Sequence, residues 1–180
     1  CNSFFYDLGR RLGIDTIGEY ARYFGLGVDT GLEVSSETGR ISKKTDANWE
    51  GGNVIQAAIG QMNTNVTPLQ MACEAMTIAN RGTRYETHLL DAMLDETGAV
   101  VSTYEPTIAS FDLSDEAYNA IAEGMRMVAA DLSGEYRVTD LGYDVYIKTG
   151  TPQVTTNRTH HCFIGYVMKD GEPEIAIAMM

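Results

Sequence analysis

The chain has 180 residues, 44% of them hydrophobic, and carries 13 Lys plus Arg against 25 Asp plus Glu, a formal net charge of −12. That length supports one domain with a real core, and the composition fits a globular protein. So acidic a chain repels nucleic acid and anionic membrane surfaces alike, so neither is expected as a partner, and the charge reads as solubility.

The cysteines, Cys1, Cys73 and Cys162, are odd in number and show no C-x-x-C spacing, so neither a disulfide framework nor a zinc site is indicated. No apolar run approaches the ~18 residues that span a bilayer. Any membrane anchor is therefore expected outside this chain. The opening Cys1-Asn2-Ser3-Phe4-Phe5 lacks the basic n-region of a secretory signal.

The first half reads as helical. Phe4, Phe5, Leu8 and Leu12 fall on one side of a helix, and Gly13 breaks it. Ile17, Tyr20, Ala21 and Phe24 then repeat at i, i+3, i+4 and i+7. Asp15 or Thr16 is the expected cap of this second helix, and Gly25 suits the left-handed position after its last turn. Residues 27–52 are glycine-rich and read as a long surface loop, with the lone Trp49 as a packing anchor. Asn53 to Gly60 reads as a short helix.

Thr67-Pro68-Leu69-Gln70 predicts a helix start: Thr67 accepts from the Gln70 N–H, Gln70 reaches back, and Pro68 takes the first helical position. Leu69, Ala72, Cys73, Met76 and Ala79 form the expected buried stripe, which makes Cys73 a packing residue. Leu89 to Leu94 and Ala99 to Tyr104 flank a Glu96-Thr97-Gly98 turn and predict a hairpin. Ser114 predicts another cap, with Ala117, Ile121, Met125 and Val128 as the inner face of its helix. Val145 to Thr149, Cys162 to Met168 and Glu174 to Met180 read as strands, the last two joined by Lys169-Asp170-Gly171.

Helices first and strands last give an α+β class. The boundaries are a mainly helical part over 1–130, with its hairpin near 89–104, and the last three strands of a sheet over 144–180. The apolar run Ile175 to Met180 reaches the last residue, which reads as a truncated domain. This last strand is expected to be an unpaired edge.

Lys148-Thr149-Gly150-Thr151 ends a predicted strand. By average residue frequencies such a tetrad arises by chance in roughly one chain per thousand of this length. Lys148 places a positive charge beside a site for an anionic group. Gly150 lets an extended substrate lie close to the strand. Thr149 and Thr151 offer hydroxyls for a terminal carboxylate, and the Thr151 N–H can serve an oxyanion hole. The competing reading is a strand end with a solvated lysine.

These residues resemble part of the motif set S-x-x-K, S-x-N and K-T-G of penicillin-binding proteins. Cys1-Asn2-Ser3-Phe4-Phe5 looks like the family's Ser-Cys-Asn without its serine. Leu12-Gly13-Ile14-Asp15, Phe24-Gly25-Leu26-Gly27 with Thr30-Gly31, Ala58-Ile59-Gly60-Gln61, Thr67 to Ala72, Ile78 to Gly82 and His160 to Tyr166 resemble the family in the same order. The pattern is most similar to the monofunctional, class B branch.

The resemblance implies an incomplete β-lactamase/transpeptidase-like fold, a helical subdomain with part of an antiparallel sheet. It implies D,D-transpeptidation of peptidoglycan through a serine acyl-enzyme, without metal or organic cofactor. Asn2 would match the asparagine that orients the substrate amide and the catalytic lysine, and Lys148, Thr149, Gly150 and Thr151 would match the third motif. The implied partners are stem peptides, β-lactam antibiotics and the remainder of the same domain. The implied place is the extracytoplasmic side of a bacterial membrane. None of the serines has a lysine three residues later, so the nucleophile is expected outside these residues and the chain alone is expected to be inactive. A D,D-carboxypeptidase, a β-lactamase and a non-catalytic β-lactam sensor or interaction module are the alternatives. His160 and His161 are expected to face opposite sides of a strand. Arg158, expected in a loop, either meets stem-peptide carboxylates or is solvated.

Overall fold

The computed structural model describes residues 1–136, 142–155 and 158–180. Helix α1, Asn2–Tyr23, is two helices joined at Gly13, whose φ of 79° and ψ of 158° lie outside the helical region. Only glycine takes that conformation without strain. The helix resumes at once after Gly13, so Asp15 and Thr16 lie within it rather than capping it. Asp15 instead pairs with Lys44 of the following loop.

The first half of α1 turns Gly9, not its aromatic stripe, toward the short helix α2, Asn53–Ala57. A Cβ at Gly9 would come within 2.3 Å of the Ala58 Cβ, so this close crossing needs glycine. Phe4, Phe5, Leu8 and Leu12, which share one side of the helix, are exposed.

The loop over 27–52 is more than surface. Thr30, Ile41, Ser42 and Asp46 are buried in it, while Trp49 is half-buried. Asp46 organises its centre by accepting from Lys43 N at 3.0 Å and Asn63 Nδ2 at 3.2 Å and pairing with Arg40 at 2.8 Å. The Lys43 N–H first, then Arg40 and Asn63, hold its carboxyl below the usual carboxylate range.

Helix α3, Pro68–Ala79, carries the expected capping box, with Gln70 N donating to Thr67 Oγ1 at 3.1 Å and Thr67 N to Gln70 Oε1 at 3.2 Å. Such a cap stabilises by about 1 kcal/mol. The helix is buried on more sides than one stripe predicts: Gln70, Met71, Cys73, Ala75, Thr77, Ile78 and Ala79 are all buried. Leu69, Ala72 and Met76 are only half-buried and line an open cleft against the last strand.

Strand β1, Thr83–Tyr85, pairs with β4, Ile108–Ser110, a contact that alternation in such short segments does not reveal. Between them β2, Ala92–Leu94, and β3, Val100–Thr103, form the hairpin. Asp95 Oδ1 shapes its turn by accepting from Thr97 N, Thr97 Oγ1 and Ala99 N.

Helix α4, Asp115–Tyr136, begins with Ala117 N donating to Ser114 Oγ at 3.2 Å. Its buried face is Tyr118, Ala122, Met125 and Ala129. That is one residue round from the expected face, whose Ala117, Ile121 and Val128 are half-buried.

The main sheet is antiparallel in the order β5-β8-β9, from β5, Asp144–Gly150, β8, Cys162–Lys169, and β9, Glu172–Met179. Asp170 and Gly171, with φ of 52° and 86°, make the tight turn between β8 and β9. Helix α3 packs on β8 and β9 and α4 on β5. The core gathers Ile78, Ala79, Met125 and Tyr166, with Tyr146, Ile164 and Met168 against them. Among the described residues no strand lies beyond β9, so it is an edge, as the sequence predicts. A small separate pair, β6, Gln153–Thr155, and β7, Arg158–Thr159, follows β5 in the chain and places Arg158 on a strand rather than in a loop.

Candidate active site

Among the described residues strand β5 is the other edge of the sheet. It pairs with β8 through Tyr146↔Tyr166, Lys148↔Ile164 and Gly150↔Cys162. Alternation puts Tyr146, Lys148 and Gly150 on the helix-covered face and Thr149 on the other. The Tyr146 and Tyr166 rings stack at 4.5 Å, which anchors this register in the core. Past that stack the burial ends: Ile147 is buried, but Lys148, Thr149 and Thr151 are exposed. Lys148 Nζ folds back to donate to the Thr149 carbonyl.

Gly150 has a neighbour that the motif alone does not reveal. A Cβ there would lie 3.0 Å from Cys162 Sγ, and that thiol donates to Gly150 O at 3.5 Å. Gly150 therefore makes room for Cys162 across the strands, and Cys162 belongs to the local structure of the site. The pairing of β5 with β8 is the signal that finds it, and it cannot be read from the tetrad. His160 N donates to Pro152 O at 3.0 Å and closes the segment that carries β6 and β7. His160 and His161 are both exposed and lie outside the strands, so the expected placement on opposite sides of a strand does not hold. Neither residue belongs to a regular element there, so strand alternation does not apply.

Asn2 is the first residue of α1 and is exposed. Among the described residues no side-chain hydrogen bond holds it, and none joins it to Lys148. Helix α1 has its main helical contact with α2, whereas β5 packs on β8 and α4. The described geometry thus unites Lys148, Thr149, Gly150 and Thr151 on one strand end and leaves Asn2 on a separate element.

The chemistry available at the strand end is binding rather than bond-breaking. One ammonium, the Thr151 hydroxyl and the outward N–H and C=O groups of an edge strand suit an extended peptide that ends in a carboxylate.

A family model for the penicillin-binding protein transpeptidase domain matches residues 1–180. The chain is 29% identical over 202 aligned residues to the peptidoglycan D,D-transpeptidase MrdA of Acinetobacter baumannii, covering 100% of this chain and 30% of that protein. It is 32% identical over 165 residues to the protein of the same name from Haemophilus influenzae, covering 85% of this chain and 25% of that one. Among solved structures, the imipenem acyl-enzyme complex of penicillin-binding protein A from M. tuberculosis superposes with a TM-score of 0.83 at 25% identity, covering 99% of this chain and 40% of that one. The chain therefore spans less than a third of the length of these two MrdA relatives.

Proposed function

The chain belongs to the penicillin-binding protein transpeptidase family, and on that premise we propose that it forms the Lys-Thr-Gly wall and the Ser-x-Asn asparagine of a peptidoglycan D,D-transpeptidase. The observation that carries this reading is Lys148-Thr149-Gly150-Thr151 at the exposed end of an edge strand, within a chain matched along its whole length. The substrate is a stem peptide ending in two D-alanines. It lies along β5 as an added strand, where main-chain hydrogen bonds align it. The Lys148 charge and the Thr151 hydroxyl receive the terminal carboxylate, while Thr149 carries its hydroxyl on the opposite face. The Thr151 N–H donates to the oxyanion as the carbonyl is attacked.

A serine activated by a lysine, in a Ser-x-x-Lys segment beyond these 180 residues, attacks that carbonyl. The terminal D-alanine leaves with the proton, and the acyl-enzyme passes to the amine of a second stem. Asn2 orients the substrate amide and that lysine. A β-lactam acylates the same serine. The work lies on the extracytoplasmic side of the membrane, where peptidoglycan is. No helix among the described residues is long and apolar enough to cross a membrane.

The remainder of the domain is the first partner. It covers the exposed apolar residues Phe4, Phe5, Leu8 and Leu12 of α1 and Ile175, Ile177 and Met179 of β9. Fluorescent penicillin tests the whole reading. The full-length protein is expected to label stoichiometrically, Lys148→Ala to slow labelling by about 100-fold, the scale of losing one preorganised charged contact, and the isolated 180-residue chain to stay unlabelled. A covalent adduct on the isolated chain, or full-rate labelling of Lys148→Ala, would overturn it.

A further inference from the structure

The β2–β3 hairpin has no role in the proposed reaction, and its surface is unusual. Leu89, Met93, Leu94, Val100 and Val101 are 71%, 52%, 59%, 61% and 67% exposed. These side chains lie along one two-stranded ribbon, with Met93 and Leu94 on opposite faces of it, and cross-strand pairing brings Leu94 against Val100. Among the described residues the ribbon packs extensively only on itself. Such a ribbon alone is marginal in water. Exposed apolar side chains gathered on one ribbon mark a binding site more often than a scattered residue does.

Its root, by contrast, is held firmly. Glu33 reaches from the long loop and accepts from Leu89 N at 2.9 Å and from Leu90 N at 2.9 Å. His88 stacks on Tyr104 at 4.4 Å, and Tyr104 OH donates to Glu86 Oε2 at 3.1 Å. Glu86 N also donates to Thr107 O at 2.9 Å, tying the two ends of the segment together. An apolar tip on a fixed root loses little conformational freedom when something binds it.

Charge selects the occupant. Asp91, Asp95, Glu96 and Glu105 are exposed on the hairpin, and from Tyr85 to Met125 the sequence has nine Asp or Glu and no Lys or Arg. An anionic lipid surface is repelled, as is another copy of the same hairpin. We propose that this hairpin is a docking arm for a partner protein whose contact surface is apolar and rimmed by lysine or arginine. The apolar tip supplies the affinity, and the carboxylates supply orientation and salt sensitivity.

The test uses the full-length protein, a fluorescent peptide alternating leucine with lysine, and a matched peptide alternating leucine with glutamate. The lysine peptide is expected to bind, to weaken as salt rises, and to lose at least tenfold in affinity to the Leu94→Asn, Val101→Asn double variant. Both side chains are exposed, so the fold and penicillin labelling are expected to stay as in the parent. The glutamate peptide is expected not to bind. Undiminished binding of the lysine peptide to the double variant overturns the proposal. So does binding of phosphatidylglycerol vesicles that the double variant abolishes. A third arm places cysteine at Leu94 in the full-length protein. Rapid maleimide labelling supports a free arm, whereas blocked labelling shows that the rest of the chain already covers it and overturns the proposal. All these readouts are separate from the transpeptidase reading, which Lys148→Ala tests.

Discussion

Gln70→Ala is expected to be among the most damaging single changes in this chain, although the side chain lies on no site residue. Gln70 is fully buried. Its Nε2 donates to Val28 O at 2.8 Å and Thr38 O at 2.6 Å, and its Oε1 accepts from Thr67 N at 3.2 Å. The loop passes so close that a Cβ on Gly39 would meet Gln70 Oε1 at 2.5 Å. One amide thus fastens two points of the 27–52 loop to the first turn of α3. Truncation strands two carbonyls and one N–H, each costing about 1–3 kcal/mol if it stays dry. The loop carbonyls can turn toward water, so about 3–4 kcal/mol overall is the reasoned loss. That is a large share of a typical stability of about 5–15 kcal/mol. Thr67→Ala removes the cap bond alone and is expected to cost about 1 kcal/mol. Gln70→Met keeps the volume and loses the hydrogen bonds, so it should fall near Gln70→Ala rather than near the parent. Urea unfolding of the full-length protein measures all three, and limited proteolysis should reveal new cleavage within 27–52. A loss below about 1 kcal/mol for Gln70→Ala, or equality with Thr67→Ala, would show that the stapling argument is wrong.

Burial pushes the half-buried Glu74 on α3 up to about 7 from an ordinary 4.5. The folded state therefore holds a proton that the unfolded state has released between those values, so stability falls as pH rises from about 4.5 to about 7. At about 1.4 kcal/mol per pH unit, discounted for partial exposure, the drop is about 2 kcal/mol; Glu74→Gln should flatten it, and unchanged pH-dependent urea midpoints would count against the assignment. The Tyr166 hydroxyl is buried with no hydrogen-bond partner among the described residues, and desolvation first, then the neighbouring Tyr118, raises its pKa. Tyr166→Phe keeps the Tyr146 stack and is expected to be neutral or to add up to about 1 kcal/mol, whereas a clear loss in thermal unfolding would reveal a partner supplied by the rest of the protein.

What could be read from the sequence was local. The capping box at Thr67, the Ser114 cap, the Gly13 break and the Asp170-Gly171 turn each depend on residues within four positions of one another, and all four stand in the structure. Buried faces were harder, because they depend on what the chain meets. The aromatic stripe of α1 has the right period but finds no cover among the described residues. On α4 the buried face lies one residue round, since Tyr118 rather than Ala117 reaches the Tyr166 cluster. The loop over 27–52 hid its organisation because Asp46 and Gln70 work through partners 17 to 42 residues away. Lys148 to Thr151 stood out as a motif, yet the reason for Gly150 lies 12 residues on, at Cys162.

The position of Lys148 is set from inside the protein. Its strand is fixed by the Tyr146–Tyr166 stack two residues earlier and by a backbone approach at Gly165, where a Cβ would come within 2.7 Å of Tyr146 O. A one-residue slip of β5 along β8 would turn Tyr146 out of the core and carry Lys148 to the opposite face. Burying one tyrosine is worth roughly 2 kcal/mol or more, so the core itself penalises that slip. The exposed end of β5 can then stay open, with Lys148 folded only onto the carbonyl of its own neighbour Thr149, because its register does not depend on anything bound there. The proposed binding wall, held in this way, is formed before any ligand arrives, which is what an added peptide strand requires.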